Sequence, residues 1–161
     1  MNKGVLAGML IMVIIFSAFN PFAVSSGSMD LALKDQGSGI QFEKDNWHNV
    51  LENAKQQNKL VFLFTYASTC SFCPEILQRT FTNQEVGGLF NKNFINLAID
   101  IEHDEIPPLA IGNLDRSSPI FIISDEHGNM IAWVRGCTGT KELIDFAKLG
   151  LTQKKGKKIY L

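Results

Sequence analysis

Cys70-Ser-Phe-Cys73 carries the chemistry that this chain can do: two thiols, two residues apart. They follow an apolar run, Leu60 to Tyr66, and open a segment that reads as a helix. A strand feeding a CxxC at a helix start is the arrangement that thiol–disulfide exchange requires. The first sulfur sits at the positive end of the helix, where unpaired N–H groups and the macrodipole favour a thiolate. The second sulfur is close enough to attack a mixed disulfide and release its product. Other uses of such a pair stay open at this point. A zinc site needs four ligands. Here a second CxxC or paired histidine is missing, and His48, His103 and His127 are scattered. A structural bridge over so few residues restricts the unfolded chain little. Copper(I) suits soft thiolates, but no methionine or histidine cluster stands next to the motif.

The third cysteine, Cys137, lies in Arg135-Gly-Cys-Thr-Gly139 after the last expected strand. It is either a further redox partner or a small residue filling a glycine-rich loop. Asp100, Glu102, Asp104 and Glu105 around His103 read as a solvated loop, because their spacing matches no metal site. Trp47 and Trp133 are expected as core or rim packing residues. The four lysines within Lys154 to Lys158 read as a solvated tail. With a net charge of −1 and 19% charged residues, a nucleic-acid partner has no electrostatic support.

The elements that must position the cysteines follow from patterning. Residues 1–25 form an exporting segment, a signal peptide or N-terminal anchor: Lys3 precedes an apolar run from Val5 to Phe19, then Asn20-Pro21 and small residues follow. The run is shorter than the roughly 20 residues that span a bilayer. Residues 26–39 are small, polar and Gly/Ser-rich, and read as a linker. A domain is expected over 40–150 and a basic tail over 151–161. Within the domain, Ile40 to Phe42 reads as a short strand, and Asp45 or Asn46 caps a helix to about Gln57. Leu60 to Tyr66 is a buried strand. The CxxC helix runs to about Thr80, with Pro74 in its first turn, where no N–H is needed. Thr82 to Glu85 reads as a capping box for a helix from Glu85 to Asn91. Phe94 to Ile101 is a second core strand, and Glu102 to Ser118 is irregular. Pro119 to Ser124 and Asn129 to Arg135 are strands around a turn at Asp125 to Gly128. Thr140 to Leu149 is a closing amphipathic helix. The order β-α-β-α-β-(α)-β-β-α implies an α/β fold with a mixed central β-sheet and helices on both faces.

Lys59 to Cys73 resembles the strand and active-site turn of thioredoxin-like proteins, and Ser118-Pro119 resembles that family's cis-proline loop. Trp47, Ala54, Glu75, Thr80-Phe81 and Val86 are similar to secreted members, among them the C-terminal domain of the bacterial transmembrane disulfide reductase. The resemblance covers about residues 40–150 and implies the thioredoxin fold. It also implies an exported, periplasmic or membrane-anchored thiol:disulfide oxidoreductase with a lean to reduction or relay. Its partners would be protein thiols or disulfides and a redox partner protein, with no bound cofactor and no metal. Cys70 would be the nucleophile and Cys73 the resolving thiol. Pro119 in cis would place the Ser118 backbone beside the sulfurs. The alternative is a copper-binding metallochaperone or non-catalytic binding module on the same scaffold. Three positions depart from the family: Phe64 replaces a buried carboxylate, Thr69 a frequent tryptophan, and Ser71-Phe72 the more usual dipeptides.

Overall fold

The structure is a computed structural model that describes residues 33, 37–67, 69–113, 119–136 and 139–154. Residues 1–25, expected to be a signal or anchor, most of the expected linker, Ser118, Cys137 and the end of the basic tail therefore lie outside the described residues. Among the described residues no helix is long and apolar enough to cross a membrane.

The chain enters through α1 (Trp47–Gln57). Asn46 caps it: the Asn46 side chain accepts the Asn49 backbone N–H at 3.0 Å, which satisfies one of the helix's unpaired donors. At the other end Asn58 takes a left-handed conformation (φ 50) and its N–H returns to the Ala54 and Lys55 carbonyls. β1 (Leu60–Tyr66) follows and is buried along its whole length. A run that is apolar but for Thr65 suits a strand covered on both faces. α2 begins as an α-turn (Cys73–Glu75) and continues as a π-helix (Ile76–Phe81). Then come α3 (Gln84–Asn93), β2 (Phe94–Asp100), a 3-10 turn (Ile111–Asn113), β3 (Ile120–Ser124), β4 (Met130–Arg135) and α4 (Thr140–Lys154).

The four strands form one sheet in the order β2-β1-β3-β4. β2 pairs parallel with β1, whereas β3 is antiparallel to both β1 and β4. Alternation along β1 divides the core. Phe62, Phe64 and Tyr66 point to the face covered by α2, α3 and α4, together with Phe121, Phe81, Phe90, Leu143 and Ala147. Val61 and Leu63 point to the other face. There they join Leu97 and Ile99 of β2, Ile120 and Ile122 of β3, and Val50 and Ala54 of α1. The mixed sheet with helices on both faces is the architecture expected from the sequence.

Four local expectations are corrected. Ile40 to Phe42 is not a strand: the segment is held by Ile40 N–H on the Phe81 carbonyl (2.8 Å) and by a single parallel bridge between Glu43 and Leu97. The α3 cap is Asn83, whose side chain accepts the Glu85 and Val86 N–H groups at 2.9 and 3.2 Å. Thr82 instead turns back and donates to the Gln78 carbonyl at 2.8 Å. The closing helix runs to Lys154 rather than stopping at Leu149. Trp133 is 48% exposed on β4 and so is not a core residue, whereas Trp47 packs at the rim of the second core.

Candidate functional site

The CxxC leaves the C-terminal end of β1, the central-sheet strand that is buried on both faces. A turn closes after Tyr66, with the Cys70 N–H donating to the Ala67 carbonyl at 3.0 Å. Cys73 is the first residue of α2, and Pro74 occupies its first turn, where a missing N–H removes nothing. Cys70 and Cys73 are joined as a disulfide with their Cα atoms 5.6 Å apart. Cys73 is fully buried and Cys70 only 4% exposed. Both belong to the aromatic core cluster that contains Phe64, Tyr66, Phe81 and Phe121.

Phe64 sits where the resemblance leads one to expect a carboxylate, and it is surrounded by aromatic rings. It stacks on Tyr66 at 5.5 Å and on Phe121 at 5.5 Å, and meets Phe81 edge-on at 5.0 Å. A carboxylate in that position would be buried among rings of which only Tyr66 carries a polar group. Glu75, the nearest acid along the chain, is exposed and accepts from Arg79 Nη1 at 3.2 Å, one turn further on. A pair this exposed contributes at most about 1 kcal/mol.

The sheet register fixes where Pro119 lies. Thr65 pairs with Ile120, so the next position places Pro119 opposite Tyr66, at the end of the sheet from which the CxxC turn departs. Pro119 is buried, and its carbonyl accepts the Gly136 N–H at 2.9 Å. That bond ties the loop after β4 to the head of β3, with Gly136 at φ +71, a left-handed conformation that favours glycine. The Ser118–Pro119 bond expected in cis involves Ser118, which is outside the described residues, as is Cys137.

The acidic cluster is a loop at the end of β2, where Asp100 pairs with Tyr66. Asp100, buried at the end of β2, accepts the Glu102 N–H at 2.9 Å and pairs with His103 Nδ1 at 2.9 Å. Asp104 accepts the Asp100 N–H at 2.7 Å. The hydrogen bond to Asp100, then the Asp100 charge, hold the His103 imidazole above its ordinary pKa. Among the described residues no group of three or more His, Cys, Asp and Glu side chains is placed to hold a metal.

Two features of the site were not anticipated. The first is the π-helical stretch of α2, which buries Ile76, Leu77, Thr80 and Phe81 against the core. The second is the outward setting of Phe72. It is 51% exposed and borders a cavity of about 370 Å³ that runs along α2 to the start of α4. The spacing Phe72, Glu75, Arg79 was a visible signal, since residues three and seven apart share a helix face.

Comparison with known proteins extends these observations. Residues 38–114, a little under half of the chain and including both cysteines, match the family model Thioredox_DsbH, described as "Protein of unknown function, DUF255". Spermatogenesis-associated protein 20 of Rattus norvegicus is 39% identical over 51 residues, which are 32% of this chain and 6% of that protein. The chain thus spans only a small part of the curated relatives it matches. Among solved structures, a candidate disulphide-isomerase from Bacteroides thetaiotaomicron superposes with a TM-score of 0.62 at 26% identity, covering 70% of this chain and 93% of that one. A thioredoxin from Thermus thermophilus superposes with a TM-score of 0.58 at 16% identity, covering 73% of this chain and 91% of that one. The second likeness is one of fold.

Proposed function

We propose, on the premise that this chain is a thioredoxin-like protein, that it is a thiol:disulfide oxidoreductase acting on protein thiols or disulfides. The observation that carries the reading is the Cys70–Cys73 pair itself, bonded at the junction of the central strand and a helix. The resemblance of the fold to a candidate disulphide-isomerase supports it.

In the reducing direction the Cys70 thiolate attacks one sulfur of a substrate disulfide. A Cys70–substrate bond forms, the substrate S–S bond breaks, and the departing thiolate takes up a proton. Cys73, after giving its proton to water, attacks the Cys70 sulfur and expels the second substrate thiolate. Two electrons have then passed from the dithiol to the substrate, leaving the Cys70–Cys73 disulfide. A dithiol protein partner returns the electrons by the same steps in reverse. In this proposal Pro119, in cis, would set the Ser118 backbone beside the sulfurs, where an extended substrate segment could pair with it. We assign the chain to reduction or relay in an exported compartment. Residues 1–25 act as signal or anchor, 26–39 as linker, 40–150 as the catalytic domain and 151–161 as tail.

The test is exchange with a protein disulfide. The wild type is expected to reduce it and Cys70→Ser to lose that activity, while Cys73→Ser accumulates mixed disulfides with its partners. Stoichiometric copper(I) binding without exchange would establish the metallochaperone reading instead. A Cys70–Cys73 reduction potential well below that of the compartment is expected; a strongly oxidising value would reverse the direction. Export is read from the N-terminus and cell fraction of the mature chain.

A further inference from the structure

Resting on the oxidoreductase reading, we infer that the cavity beside Phe72 seats a substrate side chain next to the reacting cysteine, and that this side chain is large and apolar. Phe72 is the one exposed phenylalanine among the described residues; the others are buried or packed against the core. It stands at the N-cap of α2, where a serine or aspartate would stabilise the helix, and its side chain makes no capping bond. Local helix stability therefore does not account for a ring at this position.

The ring faces a surface shaped to receive something. Phe72, Glu75, Arg79 and Thr80 of α2 form one side of the cavity, and Gly139 and Thr140 at the start of α4 form the other. At about 370 Å³ it lies at the small end of ligand pockets, which suits one or two side chains of a bound segment. The cavity is continuous with the motif, because Phe72 lies between the two cysteines, so a protein joined to Cys70 brings its neighbouring residues to this surface. Glu75 and Arg79 neutralise each other across 3.2 Å and give the rim no net charge with which to select an ionic group. What remains to be gained is burial of the exposed half of the Phe72 ring, and an aromatic or large aliphatic partner gains most.

The inference is tested with the reduced full chain and two homodimeric peptide disulfides, identical except for Phe or Gly beside the cysteine. The readout is the ratio of their second-order exchange rates, taken within each variant so that altered reactivity of the dithiol cancels. The wild type is expected to favour the Phe peptide about fivefold, from covering roughly half a phenylalanine. Phe72→Ala should bring the ratio close to one, and Phe72→Leu should retain most of it. Thr140→Trp, which fills the cavity while leaving Phe72 in place, should also lower the ratio. A wild-type ratio near one, or a ratio that survives Phe72→Ala, overturns this inference alone. Absence of exchange with either peptide would overturn the oxidoreductase reading and this inference with it.

Discussion

Replacement of Phe64 by alanine is expected to destabilise the oxidised protein by about 4 kcal/mol. Phe64 is fully buried in the centre of β1 and has ring partners on three elements: Tyr66 on its own strand, Phe81 on α2 and Phe121 on β3. Loss of the ring from an apolar site forfeits about 2 kcal/mol of transfer free energy. A void on the order of 100 Å³, at about 24 cal/mol per Å³, adds about 2 kcal/mol more if the neighbours do not collapse into it. Collapse is limited because the stacked and edge-on partners are themselves anchored in separate elements. A loss of this size removes a large fraction of a domain's usual stability of about 5–15 kcal/mol. It should lower the melting temperature by about 10–15 °C. The assay is urea denaturation of the oxidised chain followed by far-ultraviolet circular dichroism, with Phe64→Leu as a volume-sparing control expected to lose less than half as much. An unchanged denaturant slope with a loss below about 2 kcal/mol would refute the reasoning, because it would mean that the rings repack freely around the site.

Other outcomes separate particular residues. Asn83→Ala should destabilise by about 1 kcal/mol and Thr82→Ala by only a few tenths in thermal melts, since Asn83 caps α3; the reverse order would restore Thr82 as the cap. Gly87→Ala would gain about 1 kcal/mol on an open helix surface. Here its Cβ would overlap the Ser38 carbonyl and the Gly39 backbone, so a net loss in denaturation is expected and a gain would refute that close approach. Burial opposes ionisation of Asp125, but hydrogen bonds from the Asn129 side chain, the Asn129 N–H and the His127 N–H outweigh it and hold the carboxyl below its ordinary pKa. A lowered folded pKa stabilises above the unfolded value of about 3.9 and ceases to do so as pH falls through the folded value. The stability gap between wild type and Asp125→Asn should therefore be widest near neutral pH and narrow below about pH 4; a gap independent of pH would refute the assignment.

The sheet and the cysteine pair were legible in the sequence because each rests on strong local signals. Leu60 to Tyr66 is apolar but for Thr65 and is bounded by Asn58-Lys59 and a turn, which suits a strand covered on both faces. Asn46 announces α1, and the glycine at 128 with Asp125 announces the β3–β4 turn. Pro119 was read as the start of a strand that opens one residue later, and the antiparallel register of β3 on β1 sets it opposite Tyr66.

What the sequence concealed depends on competition between alternatives of similar energy. Thr82 and Asn83 are both good caps, and Glu85 completes a capping box only from Thr82. Asn83 prevails because one side-chain oxygen reaches two N–H groups while Thr82 satisfies the Gln78 carbonyl behind it. Ile40 to Phe42 has strand-like residues, yet its ladder reduces to one bridge. Its bonds run instead to Phe81 and, from Gln41 N–H, to the Asn91 side chain at 2.9 Å. The π-helix has no compositional mark at all, since the same residues would form an ordinary turn. It carries Phe81 onto Phe64 and Phe42 while Glu75 and Arg79 stay outside, contacts that only the folded chain defines. The cavity beside Phe72 is lost to sequence reading for the same reason. One wall is a helix face that spacing reveals, but the other is Gly139-Thr140, distant along the chain and brought there only when α4 packs across α2.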